Sequence, residues 1–213
     1  MQPRLSLADR LIHHLDRGLR TLAGGAAGTR PPPAPAAAPP RPLDEAERRH
    51  AAGLMRVNHA GEVCAQALYQ GQALTARDPA LRTVLERAAD EEIDHLAWCE
   101  ERLRALGSRP SFLNPLWYLL SLGLGTAAGA LGDRLSLGFL AATEELVSEH
   151  LERHLERLPA ADTASAAVVA QMRAEEARHA DAALAAGGLP FPPPVKALMR
   201  LAATVMTRTS YRL

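Results

Sequence analysis

Aromatic residues are scarce in this chain of 213 residues, at 4 %, and β-branched residues are thinly scattered among abundant alanine and leucine. That balance excludes a sheet-rich fold and points to an all-α one. Net charge is absent as well, since 24 Lys and Arg offset 24 Asp and Glu. The basic footprint that neutralises phosphates is therefore missing, and nucleic acid is not an expected partner. The two cysteines, Cys64 and Cys99, make neither a CxxC pair nor a disulfide framework and read as free buried thiols of a reducing compartment. No GxGxxG loop offers a nicotinamide or flavin site. The first residues hold no uninterrupted apolar core, because Arg4, Asp9, Arg10, His13, His14, Asp16 and Arg17 break it, so a secretory signal is not expected. A chain of this length buries one good core, which predicts a single catalytic domain with appendages.

What is present is helical periodicity in separate stretches. Over residues 1–23, Leu5, Ala8, Ile12, Leu15, Leu19 and Leu22 alternate steps of three and four and make one apolar stripe, the mark of an amphipathic helix. Two readings stand side by side: a helix docked on its own domain or a partner, and an anchor lying on a membrane surface. Gly24 and Gly25 end it. Residues 24–43 include RPPPAPAAAPPRP, which cannot form a helix and predicts an extended, mobile tether. The catalytic domain is expected over residues 44–213.

Within that domain, helices are predicted at about 44–76 and 79–106, with Asp78 as cap, Pro79 in the first helical position and Gly107 as the stop. Two more follow at about 134–158 and 163–186, closed by Gly187 and Gly188, and a last one at about 195–211 after the FPPP break. Two helical hairpins result. Between them, residues 110–132 carry no charge and have glycines at 123, 125, 129 and 132.

The chemistry lies in Glu-x-x-His, which puts a carboxylate and an imidazole one turn apart on one helix face, within reach of one metal ion. Fifteen glutamates and eight histidines produce fewer than one such match by chance, and three occur, at Glu47/His50, Glu92/His95 and Glu176/His179. Position separates them. Glu62 lies 16 residues before residue 78 and Glu92 lies 14 after it, so in an antiparallel hairpin they face each other; Glu144 and Glu176 each lie 16 residues from residue 160. Glu47 is 15 residues from Glu62, about 22 Å along a helix, so Glu47 and His50 read as solvated residues of a helix start. Phase decides the doublets: Glu144 shares the apolar seam of Leu137, Leu140, Val147 and Leu151, Glu92 and His95 that of Leu85 and Cys99, and Glu176 and His179 that of Met172 and Ala183. Glu145, Glu91 and Glu175 fall off those seams. Four carboxylates and two imidazoles in apolar seams are too costly to bury unpaired, and two divalent cations balance four negative charges. One Glu from each of two helices with Glu-x-x-His from each of the others is the layout of di-iron and di-manganese bundles.

RVNHAGE at residues 56–62, DEEIDH at 90–95, the Glu144-Glu145 doublet and EEARH at 175–179 resemble the demethoxyubiquinone hydroxylases, over roughly residues 45–213. So do NPLWYLLSLGLGTAAGALGD and a tail ending in Arg-Leu. The resemblance implies a ferritin-like four-helix bundle with a long apolar crossover helix and an extra C-terminal helix. It implies a membrane-associated di-iron monooxygenase that activates dioxygen and hydroxylates the demethoxyubiquinone or demethoxyubiquinol ring in the penultimate step of ubiquinone biosynthesis. Glu62, Glu92, His95, Glu144, Glu176 and His179 would hold two iron ions. The partners implied are a polyprenylated quinone, dioxygen, an external or substrate-derived electron donor, and other ubiquinone-biosynthesis proteins. His59 and His150 are candidates for tuning the site or touching substrate. Asn58, where an aspartate is common, and the proline tether depart from the pattern without touching a ligand. Other ferritin-like di-iron readings, a ferroxidase or iron-storage protein or a tRNA hydroxylase, share the ligands but fit poorly with the apolar stripe, the charge-free segment and the lack of a basic patch.

Residues 110–132 are long enough to span a bilayer, yet a span would put the two hairpins on opposite sides and part the six ligands. A crossover lying at the cytoplasmic face of the cell membrane is expected instead, peripheral, with Trp117 and Tyr118 at the headgroup level and Leu119, Leu120 and Leu122 toward lipid.

Overall fold

The computed structural model describes residues 7–25 and 28–213, and all regular structure among them is helical. Seven helices follow one another: α1 Leu7–Ala23, α2 Glu45–Thr75, α3 Pro79–Ala105, α4 Asn114–Ala130, α5 Asp133–Arg157, α6 Thr163–Ala185 and α7 Pro193–Ser210. Local chemistry sets the ends. Asp44 and Glu47 form a reciprocal capping box at the start of α2, Asp78 caps α3 with Pro79 in its first turn, and Asp162 accepts from Ser165 N at the start of α6; each satisfies donors that a helix start leaves orphaned.

Helices α2 and α3 form one hairpin, α5 and α6 the other, and α4 runs along α2 to connect them, the single-crossover arrangement of ferritin-like bundles. The crossover is joined closely because glycine replaces side chains where backbones meet. A Cβ on Gly125 would lie 2.3 Å from Leu68 O, and one on Gly71 would lie 2.4 Å from Leu122 O. Tyr118 Oη donates to Gln70 at 2.6 Å, tying α4 to α2 at the same level. At the end of the chain, α7 returns along the bundle and seats Tyr211 against Gly53.

The core has two apolar floors. One gathers Leu54, Met55, Trp98, Leu103, Leu151, Val169 and Met172; the other gathers Tyr69, Ala73, Leu81, Leu85, Leu137, Leu140 and Ala183. The six residues singled out in the sequence lie between them along the chain of each helix.

The N-terminal stripe resolves in an unexpected way. Helix α1 docks on the bundle, but by Arg17, Gly18 and Thr21: Arg17 pairs with Asp90 at 3.0 Å, and Gly18 abuts Tyr118. Leu22 packs inward, whereas Ile12, Leu15 and Leu19 are exposed, because the polar and small face is the one that fits the bundle. Leu5 of the stripe lies outside the described residues. The tether also differs from expectation. Residues 31–42 form no helix or strand, as their prolines require, but the segment is not free at its start, where Arg30 is fastened by ion pairs to Asp94 and Glu175.

On α4, Leu116, Leu119, Leu120 and Leu124 are exposed, while Leu122, expected to face outward with them, packs inward against the cluster of Val63, Ala67, Leu96 and Tyr118. Tyr118, expected at the headgroup level, is itself buried there because its hydroxyl reaches Gln70 of α2. No helix among the described residues is long and apolar enough to cross a membrane.

Candidate metal centre

Burial of acids in the middle of an apolar bundle is the first thing the site must explain. Glu62, Glu92, Glu144 and Glu176 are each at most 2 % exposed, and His95 is fully buried. Helix α2 supplies Glu62, α3 Glu92 and His95, α5 Glu144, and α6 Glu176 and His179. One ligand atom from each of Glu62, Glu92, His95 and Glu176 falls within 4.8 Å of the others. His95 Nδ1 lies 2.6 Å from Glu92, 3.2 Å from Glu176 and 3.8 Å from Glu62. His179 Nδ1 closes the other side, 3.0 Å from Glu92 and 3.6 Å from Glu176. Glu144 joins through Glu176 and is held by Tyr69, whose Oη donates to Glu144 Oε1 at 2.8 Å. Of the six residues read from the sequence, Glu62, Glu92, His95 and Glu176 form one cluster, His179 borders it through Glu92 and Glu176, and Glu144 lies beside Glu176. Glu145 instead turns outward to pair with Lys196 on α7.

The electrostatics show acids in want of a counter-charge. Burial, helped by Glu176 and Glu92, pushes Glu62 up to about 8. Burial and Glu176 also hold Glu144 well above the carboxylate range. Burial works against charge on His179, yet Glu176 and Glu92 push it up to about 11, and the same contest leaves His95 raised. Burial opposes ionisation of Glu176, but the imidazoles of His179 and His95 close beside it pull it down to about 2. Even so, both oxygens of Glu92, one each of Glu62 and Glu176, and Nδ1 of both His95 and His179 are buried with no hydrogen-bond partner. Orphaned lone pairs converging from three helices, α2, α3 and α6, are what a bound cation would satisfy. The set is mixed imidazole and carboxylate, with four negative charges, and it fits two divalent ions.

Each histidine is fixed from behind by a carboxylate on the opposite helix. His95 Nε2 meets Glu175 Oε2 at 2.6 Å, and His179 Nε2 meets Glu91 Oε2 at 3.1 Å. Sequence reading set Glu91 and Glu175 aside as off the seam. Glu175 is in fact buried, because the α3–α6 contact covers more than the seam and a glutamate is long enough to reach across it. The signal was there: in the two doublets that open a Glu-Glu-x-x-His run, on α3 and α6, the first Glu serves the partner helix's histidine, the usual arrangement that fixes a metal-binding imidazole's tautomer and orientation.

The two further histidines part company. His59, one turn before Glu62, lines a cavity of about 250 Å³ with Glu100, Asn114, Ser111, Leu22 and Gly24. Asn114 Nδ2 donates to His59 Nδ1 at 3.2 Å; His59 Nε2 faces Glu100 Oε1 at 3.6 Å, and neither of these atoms nor Asn114 Oδ1 makes a hydrogen bond. His150 packs against His154, ring centroids 3.9 Å apart, and burial with Arg153 and Arg157 pushes it down to about 4. The third Glu-x-x-His is structural. Glu47 belongs to the α2 cap, and His50, expected to be solvated, meets Tyr211 Oη at 2.7 Å and Arg157 O at 2.9 Å, because α7 ends over the start of α2. Cys64 and Cys99 are free thiols.

A family model described as ubiquinone biosynthesis protein COQ7 matches residues 49–210. The 3-demethoxyubiquinol 3-hydroxylase of Burkholderia multivorans is 60 % identical over 205 residues, covering 96 % of this chain and 99 % of the relative. The protein of the same name from Ralstonia pickettii is 56 % identical over 217 residues, covering 97 % of this chain and all of the relative.

Proposed function

This chain belongs to the family of ubiquinone biosynthesis protein COQ7, and from that premise we propose that it hydroxylates the ring of 3-demethoxyubiquinol in ubiquinone biosynthesis. It does so with two iron ions held by Glu62, Glu92, His95, Glu144, Glu176 and His179. The observation that carries the reading is the convergence of these side chains between two apolar floors, five of the six with orphaned atoms.

A bound iron pair supplies the activation of dioxygen that an all-protein site lacks. The chain supplies the rest. Glu175 and Glu91 hold the Nε2 protons of His95 and His179 so that each Nδ1 faces the centre. Tyr69 orients Glu144. The apolar floors exclude water, which strengthens every charge interaction inside. The cavity beside His59 offers unpartnered polar atoms over an apolar rim, suited to the oxygens and methyl group of a benzoquinol ring; His150, spent on His154, lacks such a place.

The substrate carries a polyprenyl tail, and the exposed leucines of α1, α4 and α7 support a peripheral seat on the cytoplasmic face of the cell membrane. An iron-storage or ferroxidase role, or tRNA hydroxylation, has no observation of its own, and those apolar faces suit neither a soluble cage nor an RNA surface. The electron donor is external or the reduced quinone itself. The test is a deletion strain: it accumulates the demethoxy precursor, the wild-type gene restores ubiquinone, and His95→Ala does not. Normal ubiquinone in a deletion strain without a second hydroxylase overturns the proposal.

A further inference from the structure

Arg30 stands outside the region that the family model matches, at the head of a proline-rich segment that sequence alone reads as a tether. Its surroundings are those of a built site. The guanidinium grips Glu175 with two prongs, Nη1 to Oε1 at 2.7 Å and Nη2 to Oε2 at 3.0 Å, and sends Nε to Asp94 Oδ2 at 2.5 Å. Thr29 N and Arg30 N donate to Asp94 Oδ1. The guanidinium also lies over the Trp98 ring, 4.9 Å from its centroid, and Trp98 Nε1 donates to Arg30 O at 3.1 Å.

These partners share one feature. Asp94 precedes His95, Trp98 is one turn beyond it with ring centroids 5.4 Å apart, and Glu175 Oε2 is the acceptor for His95 Nε2. Every contact of Arg30 therefore bears on one imidazole. A lone carboxylate behind that imidazole would be free to swing; Gln171 holds Oε1 at 2.6 Å, and the fork of Arg30 fixes both oxygens in one plane.

We propose that residues 28–30 are a strap that sets the metal-binding geometry of His95 through the chain Arg30–Glu175–His95, making Arg30 a positioning residue of the metal centre. This rests on the reading of His95 as a metal ligand. The strap couples the N-terminal helix to the centre, since Gly25 N, on the same connection, donates to Glu100 of α3 at 2.8 Å.

The test uses the full chain, stripped of metal and titrated with Co(II) alone, following the visible absorption of the bound ion. Arg30→Ala and Glu175→Gln are each expected to weaken binding by about 10–100-fold and to shift the Co(II) bands alike. The double variant is expected to be no worse than Glu175→Gln alone, since both changes break one chain. Arg30→Lys, which keeps the charge but not the fork, is expected to fall between wild type and Arg30→Ala; Arg41→Ala, which loses the Glu47 pair and a bond to Pro42 O away from the centre, is expected to match wild type. Binding within twofold of wild type with an unshifted spectrum in Arg30→Ala overturns the proposal, as does full additivity with Glu175→Gln. Should Arg30→Ala not fold, wild-type affinity and spectrum in Arg30→Lys overturn it. His95→Ala separates the two failures: if it abolishes binding while Arg30→Ala changes nothing, only the strap is lost, and if it too leaves binding intact, the metal reading falls with it.

Discussion

Replacing Gly125 and Gly123 by alanine, one at a time, should move stability in opposite directions although both sit on α4. Helix propensity favours alanine by about 1 kcal/mol at either position. At Gly123 the added Cβ meets nothing within 4 Å, so the gain stands alone. At Gly125 it meets Leu68 O at 2.3 Å, Leu68 Cα at 2.9 Å and Leu68 C at 3.0 Å, all backbone and unable to rotate away. Restoring ordinary contact requires α4 to retreat by about 1 Å, and a gap of that size forfeits a quarter to a half of each dispersion contact along the joint. Overpacking of this kind costs about 3 kcal/mol at the upper end of its range, so Gly125→Ala should lose about 2 kcal/mol net. For a chain of this size each kcal/mol moves the melting temperature by about 2–4 °C. Thermal unfolding followed by circular dichroism should therefore show Gly125→Ala melting about 4–8 °C lower and Gly123→Ala about 2–4 °C higher. Shifts of the same sign, or Gly125→Ala equal to Gly123→Ala within 1 °C, would refute the backbone contact between α2 and α4.

Three other outcomes are expected. Tyr69→Phe removes the hydroxyl that holds Glu144 and should lower quinol turnover by about 10-fold while the metal-free protein keeps its fold, checked by steady-state kinetics beside a melt. Without metal, Glu62 at about 8 and His179 at about 11 are raised from their unfolded values, so their contribution is full below those values and drains as pH rises through the folded ones; His150, depressed to about 4, contributes above its unfolded value and loses it as pH falls through 4. The metal-free melting temperature should hence fall from pH 7 to pH 9.5 while metal affinity climbs, since ligands must shed protons; a metal-free melt that is flat or rising over that range contradicts the assignment. Changing exposed Leu119, Leu120 and Leu124 to serine should reduce sedimentation with anionic lipid vesicles and leave metal content alone, and equal sedimentation by the variant would remove α4 from the lipid contact.

The sequence carried the bundle because its signals are local. Asp78-Pro79, Gly107 and Gly187-Gly188 mark helix ends by short-range rules, and the structure places those ends within a residue or two. The meeting of Glu62 with Glu92, and of Glu144 with Glu176, was legible because antiparallel hairpins convert distance from a turn into height. What escaped notice has no period. Arg30 and Glu175 are 145 residues apart, and nothing in a proline-rich stretch advertises that its first arginine reaches a helix at the far end of the chain. The cross-helix service of Glu91 and Glu175 was hidden for a related reason, since a seam drawn on one helix does not show what a long side chain touches on the next. For α1 the periodicity was right and its direction was open. A stripe predicts an apolar face, but only the fit of Gly18 against Tyr118 decides that the opposite face docks.

The account turns on six side chains holding a pair of metal ions, and iron content per chain tests it most directly. Anaerobically purified protein reconstituted with Fe(II) and freed of excess should carry two iron ions per chain. Glu144→Ala, which removes a buried ligand, should lose iron, and Glu145→Ala, which breaks the pair with Lys196 on α7, should keep the full complement. Full iron in Glu144→Ala, or loss in Glu145→Ala instead, would contradict it.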